Sequence, residues 1–280
     1  MYDIYYIGAQ NSEKLNLCQW PYMVTGGDIF SSSYSEVEEN DHIQNFERKV
    51  TDYTLNIEIQ SSKNLAQAVD KLMEITEKEI INVTPGRLYV GNSYLKCWLS
   101  GTNIGRWVND LDSVSSDLTV RSDYPYWITE QEFHFFKQMQ GGAGSPWLEF
   151  PFEFPYEYGK VRNIQYIQNN SYTASGFRMV IYGPCIDPLI RINGHVYELK
   201  TTLYDEEYAV IDSSTRYSKD RKIVKVKKDG TQEDIFNSRN KENDIWVKIP
   251  SGRSIVSWSG AFGFDVTLFN ERGTPRWTSL

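Results

Sequence analysis

The stretches FRMVIYGP (177–184), LIRINGHVYEL (189–199) and KIPSGRSIVSWSGAFGFDVTLF (248–269) decide the fold. Each alternates apolar and polar residues and is rich in β-branched and aromatic types, the pattern of half-buried strands. Turn signals stand between them. Asn193-Gly194 predicts a two-residue type I′ hairpin turn, which needs φ > 0 at both central positions. Asp229-Gly230, between KIVKVKK and TQEDIF, reads as a second such turn, and Pro250-Ser251-Gly252 as a third. About eight to ten short strands at this spacing predict a sandwich or jelly roll. Helical periodicity is almost absent after Pro146.

Working back toward the N-terminus, the pattern becomes mixed. A short strand over 2–7 and an apolar piece, LCQWPYMV (17–24), open the chain. KVTDYTLNIEIQ (49–60) puts Thr51, Tyr53, Leu55, Ile57 and Ile59 on one face of a long strand. One helix follows. Asn64 is its expected cap, with Gln67 completing a capping box. Leu65, Ala68, Val69, Leu72, Ile75 and Glu79 recur at helical spacing, apolar as far as Ile75. RLYVGNSYLKCWL (87–99) predicts a hairpin turning at Gly91-Asn92, and 117–136 carries a further strand ending in aromatics. MQGGAGSP (139–146) has no side chain able to anchor a core and reads as a linker. LEFPFEFPYEYG (148–159), with Pro151 and Pro155, reads as a sheet edge or extended arm. Two domains are therefore expected, 1–140 and 146–280.

The segment GGDIFSSSYSEVEENDHIQN (26–45) breaks the alternation. It reads as a long protruding loop in which Ile29, Phe30 and Tyr34 stand isolated. Connections of that length are uncommon without a role. If its own domain cannot bury those three side chains, a neighbouring subunit can, which makes them the candidate inter-subunit contacts. The acidic run EVEEND (36–41) is costly in a dry interface, so the tip is expected to stay wet.

Composition narrows the function classes. Of 280 residues, 40% are hydrophobic and 14% aromatic, with 19 Tyr and 8 Trp, which suits β structure and contact surfaces. The net charge of −8, with no basic block, argues against a nucleic-acid partner and against anionic membranes. No apolar run is long enough for membrane insertion, and MYDIYYIGAQ lacks the form of a secretory signal. Cys18, Cys97 and Cys185 are widely spaced and read as small buried hydrophobes.

Catalytic patterns are weak. Glu149, Glu153 and Glu157 recur every four residues, which on an extended chain sets neighbours about 13 Å apart, too far for a glycosidase pair. His42, His134 and His195 lack metal-ligand spacing, and no nucleophile elbow or phosphate loop occurs. SGAFGF (259–264) reads as a bulged strand. Trp258, Phe262 and Phe264 lie in the most apolar strands and read as core rather than as a sugar-stacking surface. No catalytic, cofactor or metal residue is assigned.

Several pieces, in order along the chain, resemble the phage distal tail protein family of long, non-contractile-tailed bacterial viruses. They are PGRLYVGNSYLKCWLSG (85–101), YPYW (124–127), FEFPYEY (152–158), MVIYGPCIDPLIRINGHVYEL (179–199), DIFNSRN (234–240), KIPSG (248–252), WSGAFGFDVTLF (258–269) and ERGTPRW (271–277). The resemblance implies a mainly β protein without catalysis. It implies an N-terminal β-sandwich-like ring domain with one helix and a C-terminal galectin-like sandwich. It also implies a homohexameric ring at the virion tail tip, made in the host cytoplasm, with a hairpin or belt reaching the neighbouring subunit. The implied partners are the tail tube protein above and tail-tip hub, tail-associated lysin or baseplate proteins below. A second reading is a carbohydrate-binding module that attaches the particle to host cell-wall sugar.

Overall fold

The computed structural model describes residues 3–9, 14–61, 64–105, 112–138, 165–213 and 221–276. The chain forms two compact units, Met1–Thr129 with Glu271–Leu280, and Glu130–Asn270. The expected linker at 139–146, the arm at 148–159 and the acids Glu149, Glu153 and Glu157 lie outside the described residues.

In the first unit, β1 (Ile4–Ile7) pairs antiparallel with β2 (Lys14–Asn16), and β3 (Cys18–Gln19) with β4 (Tyr22–Gly27). β5 (Ser35–Glu39) and β6 (His42–Glu47) form a separate hairpin. β7 (Thr51–Gln60) is followed by the helix α1 (Leu65–Ile81). β8 (Gly86–Val90), β9 (Ser93–Ile104) and β10 (Ser113–Ser122) come next, and β11 (Trp127–Phe135) leads into the second unit. The long β9 is shared: its first half pairs with β8 and its second half with β10, which continues through β7 to β4. The alternation of β7 is realised as read: Tyr53, Leu55, Ile57 and Ile59 are buried. They join Tyr6, Leu15, Leu88, Leu95, Leu118 and Trp127 in one core.

Helix α1 covers this core with Ala68, Leu72 and Ile75, and its stripe runs on to a buried Glu79. The expected capping box does not form. Asn64 is the N-cap residue, but its side chain makes no cap bond. Its backbone N–H, which Gln67 would have to reach in a capping box, already donates to Ser61 Oγ at 3.1 Å.

The second unit is a sandwich. β12 (Gln165–Asn169), β13 (Gly176–Tyr182), β14 (Cys185–Ile186), β15 (Leu189–Ile192), β16 (His195–Glu198), β17 (Thr202–Leu203), β18 (Tyr208–Asp212), β19 (Lys222–Val226), β20 (Gln232–Asp234), β21 (Gly252–Trp258) and β22 (Phe264–Arg272) follow in order. One sheet runs β20–β19–β18–β13–β22, the other β12–β21–β15–β16. Phe177, Met179, Ile211 and Val266 from the first meet Ile167, Ile190, Ile192 and Val256 from the second in a single core.

The Asn193-Gly194 turn is as read, with φ of 50° and 82° and Ile192 opposite His195. At Asp229-Gly230 only the glycine is left-handed (φ 82°). The Lys227 N–H donates to the Thr231 carbonyl at 3.0 Å, and the Gly230 N–H to the Lys227 carbonyl at 2.9 Å. The loop is thus longer than the two-residue turn expected, because the Asp229 carboxylate accepts from Thr231 N–H at 2.9 Å and holds the aspartate locally. SGAFGF is not a bulged strand. It is the bend joining β21 to β22, closed by the Trp258 indole N–H donating to the Phe262 carbonyl at 2.9 Å. Trp258, Phe262 and Phe264 are all buried in the core.

Candidate assembly surface

The segment expected as one irregular loop is two things. Its first part folds into the unit. Gly27 (φ 145°) lies so close to β7 that a Cβ would stand 2.4 Å from the Thr54 carbonyl oxygen, so only glycine fits. The Asp28 carboxylate then accepts the Thr54 N–H at 2.6 Å. This directs Ile29 inward, where it is 2% exposed in the core, with Phe30 packed against that core. The expectation that the segment cannot bury these residues in its own unit is corrected. Tyr34 alone of the three keeps substantial exposure, at 49%.

The second part is the hairpin β5–β6, closed by Asn40 and Asp41 at φ 52° and 62°. Both central residues are left-handed, the geometry of a type I′ turn. Asn-Asp between the runs SEVEE and HIQNFE is the signal in the sequence that would have shown it. Every residue of β6 is exposed, including Ile43 and Phe46. A two-stranded hairpin standing by itself is marginal in water.

Arg48 fixes the root of the hairpin. It is 2% exposed, donates from Nη1 to the Gly273 carbonyl at 2.7 Å and from Nη2 to Tyr53 Oη at 2.8 Å. Its guanidinium lies 5.5 Å from the ring centres of both Tyr34 and Tyr126. A buried guanidinium is costly unless hydrogen-bonded; the two bonds and two aromatic faces offset that cost, while Nε has no hydrogen-bond partner among the described residues. A single Arg in ERKV has no pattern that marks this role.

Several other ionisable groups are placed by the fold. His42 sits on the exposed hairpin, while His195 Nε2 donates to the Asp244 carbonyl at 2.7 Å. His134 Nδ1 donates to Asp265 Oδ1 at 2.9 Å, and that hydrogen bond raises its pKa. Tyr182 Oη donates to the other oxygen of Asp265 at 2.7 Å. Burial pushes the Cys185 thiol up to about 11 and raises that of the fully buried Cys97 further, the reverse of nucleophile activation. The Cys18 sulfur accepts the Ile4 N–H at 3.3 Å. Among the described residues, no group of three or more His, Cys, Asp and Glu is placed to hold a metal.

Glu79 is the most unusual of these groups. It is buried, takes hydrogen bonds from Tyr6 Oη and from Ala9 N–H at 2.9 Å, and burial raises its pKa. In the second unit, a cleft of 380 Å³ is bounded by Cys185, Asp187, Arg191, Ser257 and Trp258. Trp258 is largely buried, packed edge-on against Phe135 and Phe264.

No family model matches the chain, and no curated protein matches it in sequence. Solved structures do. The SPP1 Dit protein, described as a paradigm of the hub adsorption apparatus in phages infecting Gram-positive bacteria, is similar with a TM-score of 0.58 and 7% identity, over 97% of this chain and 99% of that one. A chain of the phage P2 baseplate in its activated conformation with Ca is similar with a TM-score of 0.63 and 10% identity, over 98% and 99%. A chain of the phage p2 baseplate in its activated conformation with Sr gives 0.64 and 10%, over 98% and 100%. At these identities the likeness shows a shared mainly β fold, end to end.

Proposed function

We propose that this chain is a structural hub protein of a phage tail tip. Six copies close a ring that joins the tail tube to the tip hub or baseplate proteins. The observation that carries the reading is the likeness in fold to hub and baseplate chains over 97–98% of this chain, helix and both units included. The exposed hairpin β5–β6 supports it, as an arm whose Ile43 and Phe46 lack cover in their own unit. A heterologous contact that closes at six copies leaves no unused sticky surface. In this reading the N-terminal part, 1–140, forms the ring, with Tyr34 and the hairpin at the subunit contact. The C-terminal part, 146–280, projects outward. No catalytic step is assigned.

Light scattering of the purified chain tests the ring. Particles of six times the 32.5 kDa chain mass are expected, with ring-shaped images in the electron microscope. A monomer at every concentration tried would sink the reading. Deleting residues 35–47 is expected to abolish the ring while leaving a folded chain.

A second reading draws on the exposed tyrosines of the other unit, Tyr166, Tyr172 and Tyr204, since exposed aromatic rings are the type that stack on sugars. It makes this unit a carbohydrate-binding surface for the host wall, with six copies adding avidity. Glycan-array binding by the full chain, lost on Tyr172→Ala, is its expected sign; an array without signal rejects it.

A further inference from the structure

We propose that the hairpin β5–β6 of one copy docks on the outer face of the β2–β1–β8–β9 sheet of a second copy. The inference rests on the ring reading above and adds the surface that receives the hairpin.

Charge complementarity carries it. Residues 35–47 contain five acids, Glu36, Glu38, Glu39, Asp41 and Glu47, and no Lys or Arg. Glu36 and Glu38 share one face of β5, and a register shift between Val37 and Glu38, which skips Gln44 of β6, brings Ile43 opposite Glu38. Their cross-strand partners there are Phe46 and Ile43. One face of the hairpin is therefore an acid row beside an apolar row.

The sheet has the opposite pattern. Registers align Lys14 with Ile7, Ile7 with Arg87, and Arg87 with Lys96, which makes one row across four strands. The adjacent row aligns Asn16, Tyr5, Tyr89 and Tyr94. Lys14 and Arg87 are exposed and Tyr5, Tyr89 and Lys96 half-buried, alternating with the core residues Tyr6, Leu15, Leu88, Leu95 and Cys97, whereas Tyr94 is itself buried. Lys14 lies 3.8 Å over the Tyr5 ring, Tyr5 stacks on Tyr89 at 4.6 Å, and Arg87 lies 4.9 Å over Tyr94. A basic row thus stands beside the stacked pair Tyr5 and Tyr89. Asp3 is the acid acting on Tyr5 at its border.

The two surfaces match: carboxylates against Lys14, Arg87 and Lys96, and Ile43 and Phe46 against the half-buried rings of Tyr5 and Tyr89. Spacing agrees as well. Glu36 and Glu38 stand about 7 Å apart along a strand, while the cations stand about 5 to 10 Å apart across strands, so the hairpin crosses the sheet at a steep angle. A contact between two different faces of the same chain is heterologous, the kind that forms a ring when its rotation closes.

Charge reversal in the full chain tests this. Lys14→Glu with Arg87→Glu, and separately Glu36→Lys with Glu38→Lys, are each expected to weaken self-association about tenfold or more by light scattering. Mixing the two variants is expected to restore it, because each hairpin then meets a patch of opposite sign. Lys14→Glu with Lys96→Glu spares the Arg87–Tyr94 contact and serves if the first patch variant melts early. If patch reversal leaves association intact while deletion of 35–47 abolishes it, the docking face is wrong and the ring reading survives. If the wild-type chain never associates, both fall. If the mixture fails to recover, the pairing of these two surfaces is overturned.

Discussion

Tyr6 has one hydroxyl hydrogen and two acceptors, Glu79 Oε2 and the Cys97 carbonyl at 3.1 Å. Burial raises the Glu79 pKa, so the folded chain favours its protonated form more than the unfolded chain does. Because the folded state holds this proton more tightly than the unfolded state, stability falls as pH rises from the ordinary carboxylate range through the raised value. Glu79→Gln should flatten that loss, so the variant gains on the wild type in urea midpoints as pH rises above the ordinary carboxylate range. Tyr6→Phe strands a buried carboxyl and should cost about 1–3 kcal/mol at neutral pH. Arg48→Met should cost a similar amount and raise amide exchange across 35–47, since the root of the hairpin loses its clamp. Arg48→Lys should not restore the protection, because an ammonium cannot form the same fork. Of these residues, only Glu79 stood in a sequence pattern, at helical spacing after Ile75, and its burial was not legible there. Nothing in the residues around Tyr6 points seventy positions ahead.

The elements carry their own tests. Asn64→Ala normally costs about 1 kcal/mol at an N-cap. Here the side chain makes no cap bond, so a thermal melt should show well under half of that. At the other end of α1, Val83 is left-handed with φ 51° and 76% exposed, a conformation that penalises β-branched residues. Val83→Gly should stabilise the fold by up to about 1 kcal/mol, as read by denaturant midpoint. Asp41→Gly, which makes the preferred Asn-Gly turn, should lower amide exchange in β5 and β6. Strands such as β7 and β13 and the hairpin turning at Asn193-Gly194 were legible because alternation and φ > 0 are local demands. The hairpin at 35–47 was read as loop because its strands are polar and exposed on both faces. Without a buried face there is no alternation to see.

For the whole molecule, a net charge of −8 opposes self-association unless opposite charges are segregated. The acid-only hairpin and the Lys14–Arg87–Lys96 row provide that segregation. Oligomer mass should therefore fall as salt rises from about 0.05 to about 0.5 M, where the screening length drops below the spacing of the paired charges. An oligomer indifferent to salt would place the contact on apolar surfaces elsewhere. Among the described residues no helix is long and apolar enough to cross a membrane.

The sequence by itself determined the mainly β character, the helix after β7, the positions of most strands and the glycine turn at Asn193-Gly194, because these follow from periodicity and backbone sterics within a few residues. Only the tertiary structure decided that Ile29 turns inward, that Glu79 meets Tyr6, and that Lys14, Arg87 and Lys96 fall into one row. Those relations depend on the register of strands far apart in the chain, and register is set by which side chains fill the core together.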